Sequence, residues 1–317
     1  MGTDAKSLLK QFDKEFHEIL AKDFKEDSTY DYLVLFSGGK DSSYLAHRLK
    51  EAKGGRVCLF CVDNGFEEKS FLEGVITRAD ELKMDLYLHR PAHDELRHYY
   101  RYIVTEPALK EIDANPMCFF CSRLFMGTGV RFAERNKIPF VVYGATPEQM
   151  KLKKRETARD ITMFEFMLKK RINVVYKEVR QTDGYKNDPL LRKYLDQAFY
   201  SCDSVKLVFP FIYLSYNVET IKEVLRKEYN WKNPVQDLAD DYYLTSGCNL
   251  LKLLGLFHDR FGIEVHELDQ FQADYEKGVI NKDVYDYNVK YYNKLMAFKK
   301  TPETEKLLTD LGLEKCL

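Results

Sequence analysis

The chain contains no apolar run approaching the ~20 residues of a membrane-crossing helix. Its first residues, MGTDAKSLLKQFDKEF, are charged and amphipathic rather than signal-like. Neither a membrane span nor a secretory leader is expected, and the expected location is the cytoplasm. Met1-Gly2 opens the chain, but the sixth position is Lys6 and Ser7 comes one place late, which excludes a myristoylation site. An excess of one charge is also missing. Lys and Arg number 49 against 50 Asp and Glu, a net charge of -1, so any contact with a polyanion must come from a local patch. Repeats and low-complexity stretches are absent. What is plentiful is core-forming material: 45% hydrophobic and 14% aromatic residues over 317 positions argue against disorder. That length suits one large domain or two ordinary ones.

The glycine-rich stretch Ser37-Gly38-Gly39-Lys40-Asp41-Ser42 lacks the spacing of both common phosphate loops, G-x-x-x-x-G-K-[ST] and G-x-G-x-x-G. Its context is nevertheless that of an anion cradle. Tyr32 to Phe36 (YLVLF) form a continuous apolar run that reads as a strand covered on both faces. Tyr44, Leu45 and Leu49 then fall at helical spacing, which puts the glycines in the turn between strand and helix. Adjacent glycines let backbone amides approach an anion, and the helix start adds its partial positive charge.

This strand-SGGKDS-helix arrangement resembles the PP-loop signature of the ATP pyrophosphatase superfamily. The resemblance implies cleavage of ATP to AMP and pyrophosphate with adenylation of an acceptor. It also implies that Ser37, Gly38, Gly39, Asp41 and Ser42 hold the phosphates with Mg²⁺, and that Lys40 is a charge partner. Lys40 and Asp41 are the candidate catalytic residues. Asp63, in Asp63-Asn64-Gly65 at the end of the second expected strand, is a candidate for Mg²⁺ or nucleotide; a plain Asn-Gly turn is the alternative.

Apolar and amphipathic segments alternate. A helix at Ser7 to Leu20 is followed by strands at Arg56 to Val62, Asp85 to Leu88 and Phe140 to Tyr143. Helices are expected at Phe71 to Leu82, near Glu95 to Ile112, and at Ser122 to Asn136. The pattern predicts an α/β fold with a doubly wound parallel sheet and ligands at the carboxyl ends of its strands. Beyond about Thr146 the sequence reads as mainly helical, with one apolar exception at Val205 to Leu214. The expected division is an ATP-binding α/β domain over 1–148 and a mainly helical acceptor-binding region over 149–317, with a loose boundary near Gly144 to Met150.

Seven cysteines are present. Cys58 and Cys61 lie in an expected strand, where residues three apart face opposite sides, so they read as core. Cys118 and Cys121 lie in Asn115-Pro116-Met117-Cys118-Phe119-Phe120-Cys121-Ser122-Arg123, a turn followed by a helix start, where both thiols can face one ion or cluster. Cys248, beside Gly247, is the best third ligand; Cys202 and Cys316 are weaker. Three cysteines without a fourth suit a [4Fe-4S] cluster with one open iron. Unrelated thiols, or zinc at these cysteines, are the alternatives.

Cys118-Phe119-Phe120-Cys121-Ser122-Arg123-Leu124, with Cys248-Asn249-Leu250 far downstream, resembles the cluster-binding pattern of the TtcA-type tRNA thiolation enzymes. The resemblance implies Cys118, Cys121 and Cys248 as cluster ligands, and replacement of an adenylated base oxygen by sulfur. One element departs from it. Where that family carries Gly-His-x-x-Asp-Asp, this chain has Gly144-Ala145-Thr146-Pro147-Glu148-Gln149. Gly144 is kept as a nucleotide-site candidate, Glu148 is a stand-in carboxylate, and Thr146-Pro147 reads equally as a helix start.

The acceptor is therefore left open between tRNA and a small molecule, the second substrate between a sulfur donor and ammonia, and a homodimer remains an alternative. A run from Lys151 to Arg171 carries eight basic residues against three acidic ones, which suits phosphate or a solvated helix face. The competing functions are a PP-loop amidotransferase or ligase using ammonia on a sugar or metabolite, and a non-catalytic nucleotide-binding module.

Overall fold

The structure, a computed structural model, describes residues 27–51, 55–109, 115–145, 172–213, 217–231, 248–263, 267–278 and 280–316. The expected N-terminal helix, Glu148 and the basic run up to Arg171 lie outside these residues.

The expected parallel sheet forms. Its strands are β1 (Tyr32–Leu35), β2 (Val57–Val62), β3 (Asp85–His89), β4 (Phe140–Val142) and β5 (Lys206–Val208), in the order β3-β2-β1-β4-β5. Every pairing is parallel. Helices between strands cover both faces: α1 (Lys40–Glu51), α2 (Lys69–Leu82), α3 (His93–Thr105) and α4 (Pro116–Arg135). β1, β2 and β4 are buried at every position because they have neighbours on both edges and helices on both faces. β3 is the outer strand, and its alternation of exposed and half-buried residues records that place. Along β2, Cys58 and Cys61 turn to different cores on the two faces of the sheet, as strand geometry requires.

Two elements differ from the sequence reading. α4 begins at Pro116, six residues before the expected start, so the whole cysteine pair lies within it. The cause is local: Asn115 caps the helix, its Oδ1 accepting from the Cys118 amide at 3.4 Å, and Pro116 occupies the first turn. The fifth strand comes from the apolar segment in the region read as helical. Lys206–Val208 pairs with Phe140–Val142, and Pro210 ends the strand and opens a short helix, Pro210–Tyr213. Helices then dominate the remainder, among them α5 (172–179), α6 (Asp183–Asn187), α7 (Pro189–Ala198), α8 (Val218–Tyr229), α9 (Leu254–Phe261), α10 (Lys282–Met296) and α11 (Pro302–Asp310).

Candidate functional site

The loop Phe36 to Gly39 joins β1 to α1 at the carboxyl end of the sheet. Gly38 has φ +70°, a left-handed conformation, and a Cβ built there would stand 3.3 Å from Val75 backbone and side chain. Both facts favour glycine. The loop's hydroxyls hold its own shape. The Ser37 amide donates to Ser42 Oγ at 3.2 Å, Ser42 Oγ donates to the Gly39 carbonyl at 3.2 Å, and Ser43 Oγ donates to the Gly38 carbonyl at 3.2 Å. From the other side the buried Trp231 donates its indole N–H to the Gly38 carbonyl at 3.4 Å. The Gly38 and Gly39 carbonyls are thereby tied inward, while the Ser37 and Gly39 amides donate to the hydroxyls of Ser42 and Ser37, groups that an anion at this strand-to-helix turn would displace or join. Lys40 is buried, with Nζ 2.8 Å from Asp41 Oδ2. Gly144, just past β4, lies against this helix start: a Cβ there would meet Asp41 Cβ and Leu45 Cδ1, each at 3.4 Å.

The end of β2 joins the same edge. Asp63 Oδ1 accepts from the Gly65 amide at 2.9 Å, and its Oδ2 is 3.4 Å from Arg90 Nε. Asn64 is buried, and its Nδ2 donates to Glu67 Oε1 at 3.1 Å and to Cys248 Sγ at 3.6 Å. Cys248 is brought there by the backbone, through an antiparallel bridge to Glu67 and an Asn249 amide bond to the Phe66 carbonyl at 2.9 Å. Residues 184 positions apart thus meet beside the loop.

Cys118 and Cys121 stand on the first turns of α4, Cys118 exposed and Cys121 half-buried. The Tyr100 hydroxyl donates to Cys121 Sγ at 2.8 Å. Burial pushes the Cys121 thiol up to about 12 despite that bond, with the Glu67 charge acting in the same direction. Burial likewise raises Cys248, with contributions from Glu67, Cys121 and Cys118. Glu67 itself is pushed up to about 8, first by burial and then by the charge of Asp63, and its Oε2 is buried without a hydrogen-bond partner. Cys121 and Cys248 therefore share a buried neighbourhood with Glu67, and Cys118 stands at its exposed margin. Cys202 packs against the core that holds Cys58.

Two side chains connect the thiols to the loop. Tyr143, the residue after β4, is pushed up to about 12 by burial, and the charges of Cys121, Cys118 and Asp41 all bear on it. Arg123, on α4, is 6% exposed, its charge acts on Tyr143, and burial draws it down to about 10. Neither was a candidate from sequence. Tyr143 ends an apolar strand, and Arg123 belongs to the Cys-Ser-Arg-Leu element without any spacing that announces a role.

Among the described residues no group of three His, Cys, Asp or Glu side chains is set to hold a metal ion as the chain stands. In kind and neighbourhood the three thiols do fit the expected cluster: they are soft donors, and burial raises the thiols of Cys121 and Cys248.

The loop lies at the turn after β1 and every strand pairing is parallel, as expected. The chain has a doubly wound α/β fold. No protein-family model and no curated protein matches the sequence. Among solved structures, the chain is similar to a U34-tRNA thiolase from Methanococcus maripaludis with its [4Fe-4S] cluster, at 16% identity and a TM-score of 0.40, over 92% of this chain and 82% of that one. It is also similar to an NH3-dependent NAD synthetase from Campylobacter jejuni subsp. jejuni NCTC 11168 in complex with the nitrate ion. There the identity is 12% and the TM-score 0.40, over 95% of this chain and 98% of the other. At such distances neither likeness assigns an activity or a residue role to this chain.

Proposed function

We propose that the protein is an ATP-using enzyme that adenylates an acceptor C–O group, releasing pyrophosphate, and then replaces the activated oxygen with sulfur. The observation that carries this reading is the arrival of Cys248 at the end of β2, the strand beside the loop-bearing β1, where its Sγ accepts from Asn64 Nδ2 at 3.6 Å. A phosphate cradle and a thiol group on one sheet edge suit two successive steps on one substrate.

In the first step the amides of the Gly38-Gly39 turn and the α1 N-terminus hold the β- and γ-phosphates, with Lys40 and Mg²⁺ neutralising charge. Asp41 and Asp63 are the carboxylates available to Mg²⁺. The acceptor oxygen attacks the α-phosphorus, a P–O bond forms, the bond to the bridging oxygen breaks, and pyrophosphate leaves with the electron pair. In the second step a sulfur nucleophile forms a C–S bond, the C–O bond breaks, and AMP leaves with the electron pair. Asn64 and Tyr100 orient sulfur at Cys248 and Cys121, and the apolar wall limits water. A [4Fe-4S] cluster held by Cys118, Cys121 and Cys248 would supply an open iron position able to carry sulfur. The acceptor is a tRNA base or a small molecule.

The test is anaerobic reconstitution of the full chain with iron and sulfide. The reading expects about four irons and four acid-labile sulfides per chain, visible brown colour, and loss of both in Cys248→Ser. A colourless protein without bound iron would remove the sulfur half. The alternative, an amidotransferase or ligase that uses ammonia, is favoured by one observation: the three thiols do not close on an ion as they stand. It expects ammonia-dependent AMP formation unchanged in Cys248→Ser.

A further inference from the structure

Arg123 carries a charge that the fold buries and that no acidic side chain among the described residues pairs. The residue is 6% exposed, its Nε is buried with no partner among those residues, and its Nη1 donates to Met126 Sδ at 3.4 Å, a weak acceptor. Its guanidinium carbon lies 5.9 Å from the Phe199 ring centroid. The hydroxyls that bear on it, of Tyr99 and Tyr143, are neutral groups. Other buried cations of the chain differ: Arg78 pairs with Glu81, Lys40 with Asp41 and Lys222 with Glu219. A buried, unpaired guanidinium is strongly unfavourable unless a ligand completes it.

The position of the charge indicates which ligand. Tyr143 meets the Phe209 ring, and the next residue, Gly144, closes on the start of α1, where a Cβ would stand 3.4 Å from Asp41 Cβ; Arg123 follows Cys121 by two places on α4. A species held by the loop at one end and facing the thiols at the other lies along this edge of the sheet. We infer that Arg123, assisted by the Tyr143 hydroxyl, receives the α-phosphoryl group of the nucleotide, the group that joins AMP to the acceptor between the two steps. This assignment rests on the ATP-using reading above. The planar guanidinium fork matches two phosphoryl oxygens, and the apolar surroundings strengthen the pair. The same contact would hold AMP as leaving group when sulfur arrives. Arg123 is then charged for a purpose that the protein's own stability does not require.

The test uses the full chain and three probes: AMP, adenosine and pyrophosphate, titrated by calorimetry against wild type, Arg123→Met and Tyr143→Phe. Arg123→Met should bind AMP about tenfold or more weakly, the scale of one charge-assisted contact, while adenosine and pyrophosphate binding stay unchanged. Its Tm should equal or exceed that of wild type, because an apolar chain of similar length replaces an unpaired charge. Tyr143→Phe should weaken AMP by a smaller factor and leave pyrophosphate unchanged. Unchanged AMP binding in Arg123→Met, or a lowered Tm with equal loss of all three probes, would overturn the inference. A wild-type chain that binds pyrophosphate but not AMP would overturn it while sparing the phosphate loop. Failure of the wild type to bind any probe would overturn the nucleotide reading itself.

Discussion

His47 lies on the buried side of α1, the helix that opens with Lys40 and carries the phosphate loop. Its Nδ1 is 2.7 Å from the Tyr229 hydroxyl, and the two rings meet edge to face at 5.3 Å. Burial lowers its proton affinity below the ordinary 6.5; Glu51 and Glu228 oppose that shift, while Arg48 and Lys50 add to it. The unfolded chain therefore binds the extra proton first as pH falls. The stability this neutral imidazole contributes is complete above about 6.5 and is lost as pH drops through the lower folded value. His47→Gln, which keeps a polar group near Tyr229 and cannot charge, should flatten the fall in Tm between pH 7 and 5; an identical fall in both proteins would contradict the assignment. The loop residues were legible in sequence because glycine pairs and hydroxyls have few other uses between a strand and a helix. The burial of Arg123 and the bond from Asn64 to Cys248 were not, since burial and a bond across 184 positions are properties of the folded chain alone.

α4 presents the cysteine pair because Asn115 and Pro116 fix where it begins. Without the cap, the first turn, which holds Cys118, loses a hydrogen bond to its amide. Asn115→Ala should cost roughly 1 kcal/mol in chemical denaturation and speed alkylation of Cys121. A variant with unchanged stability and unchanged thiol reactivity would show that the helix start is held by other means. The sequence gives the turn away through Asn-Pro but misplaces the helix, because the aromatic pair Phe119-Phe120 and the two cysteines have only modest helical preference. Packing decides instead: Phe120 is fully buried in the core cluster that also contains Tyr99 and Tyr100. β5 escaped for a related reason. Three residues are too few to show a period of two, and the apolar run continues without a break through Phe209 into the helix beginning at Pro210.

At the scale of the whole molecule, four of the five strands were legible as apolar runs separated by amphipathic helices, and with them the parallel sheet. The fifth joins from the helical half, so that half shares the sheet as well as surrounding the site. Cys248 arrives from the same half through the bridge to Glu67. This topology puts phosphate loop, strand ends and thiols on one edge, as ligands of open α/β sheets require. No helix among the described residues is long and apolar enough to cross a membrane.

The central claim is cleavage of ATP at its α-phosphorus. It is tested most directly by incubating the protein with Mg²⁺ and ATP labelled separately at the α and γ positions, in the presence of sulfide, ammonia, small RNA and a metabolite filtrate. The account predicts that γ-label appears in pyrophosphate and α-label in AMP, with both products lost in Lys40→Ala. Release of γ-label as inorganic phosphate, with α-label in ADP, would contradict it.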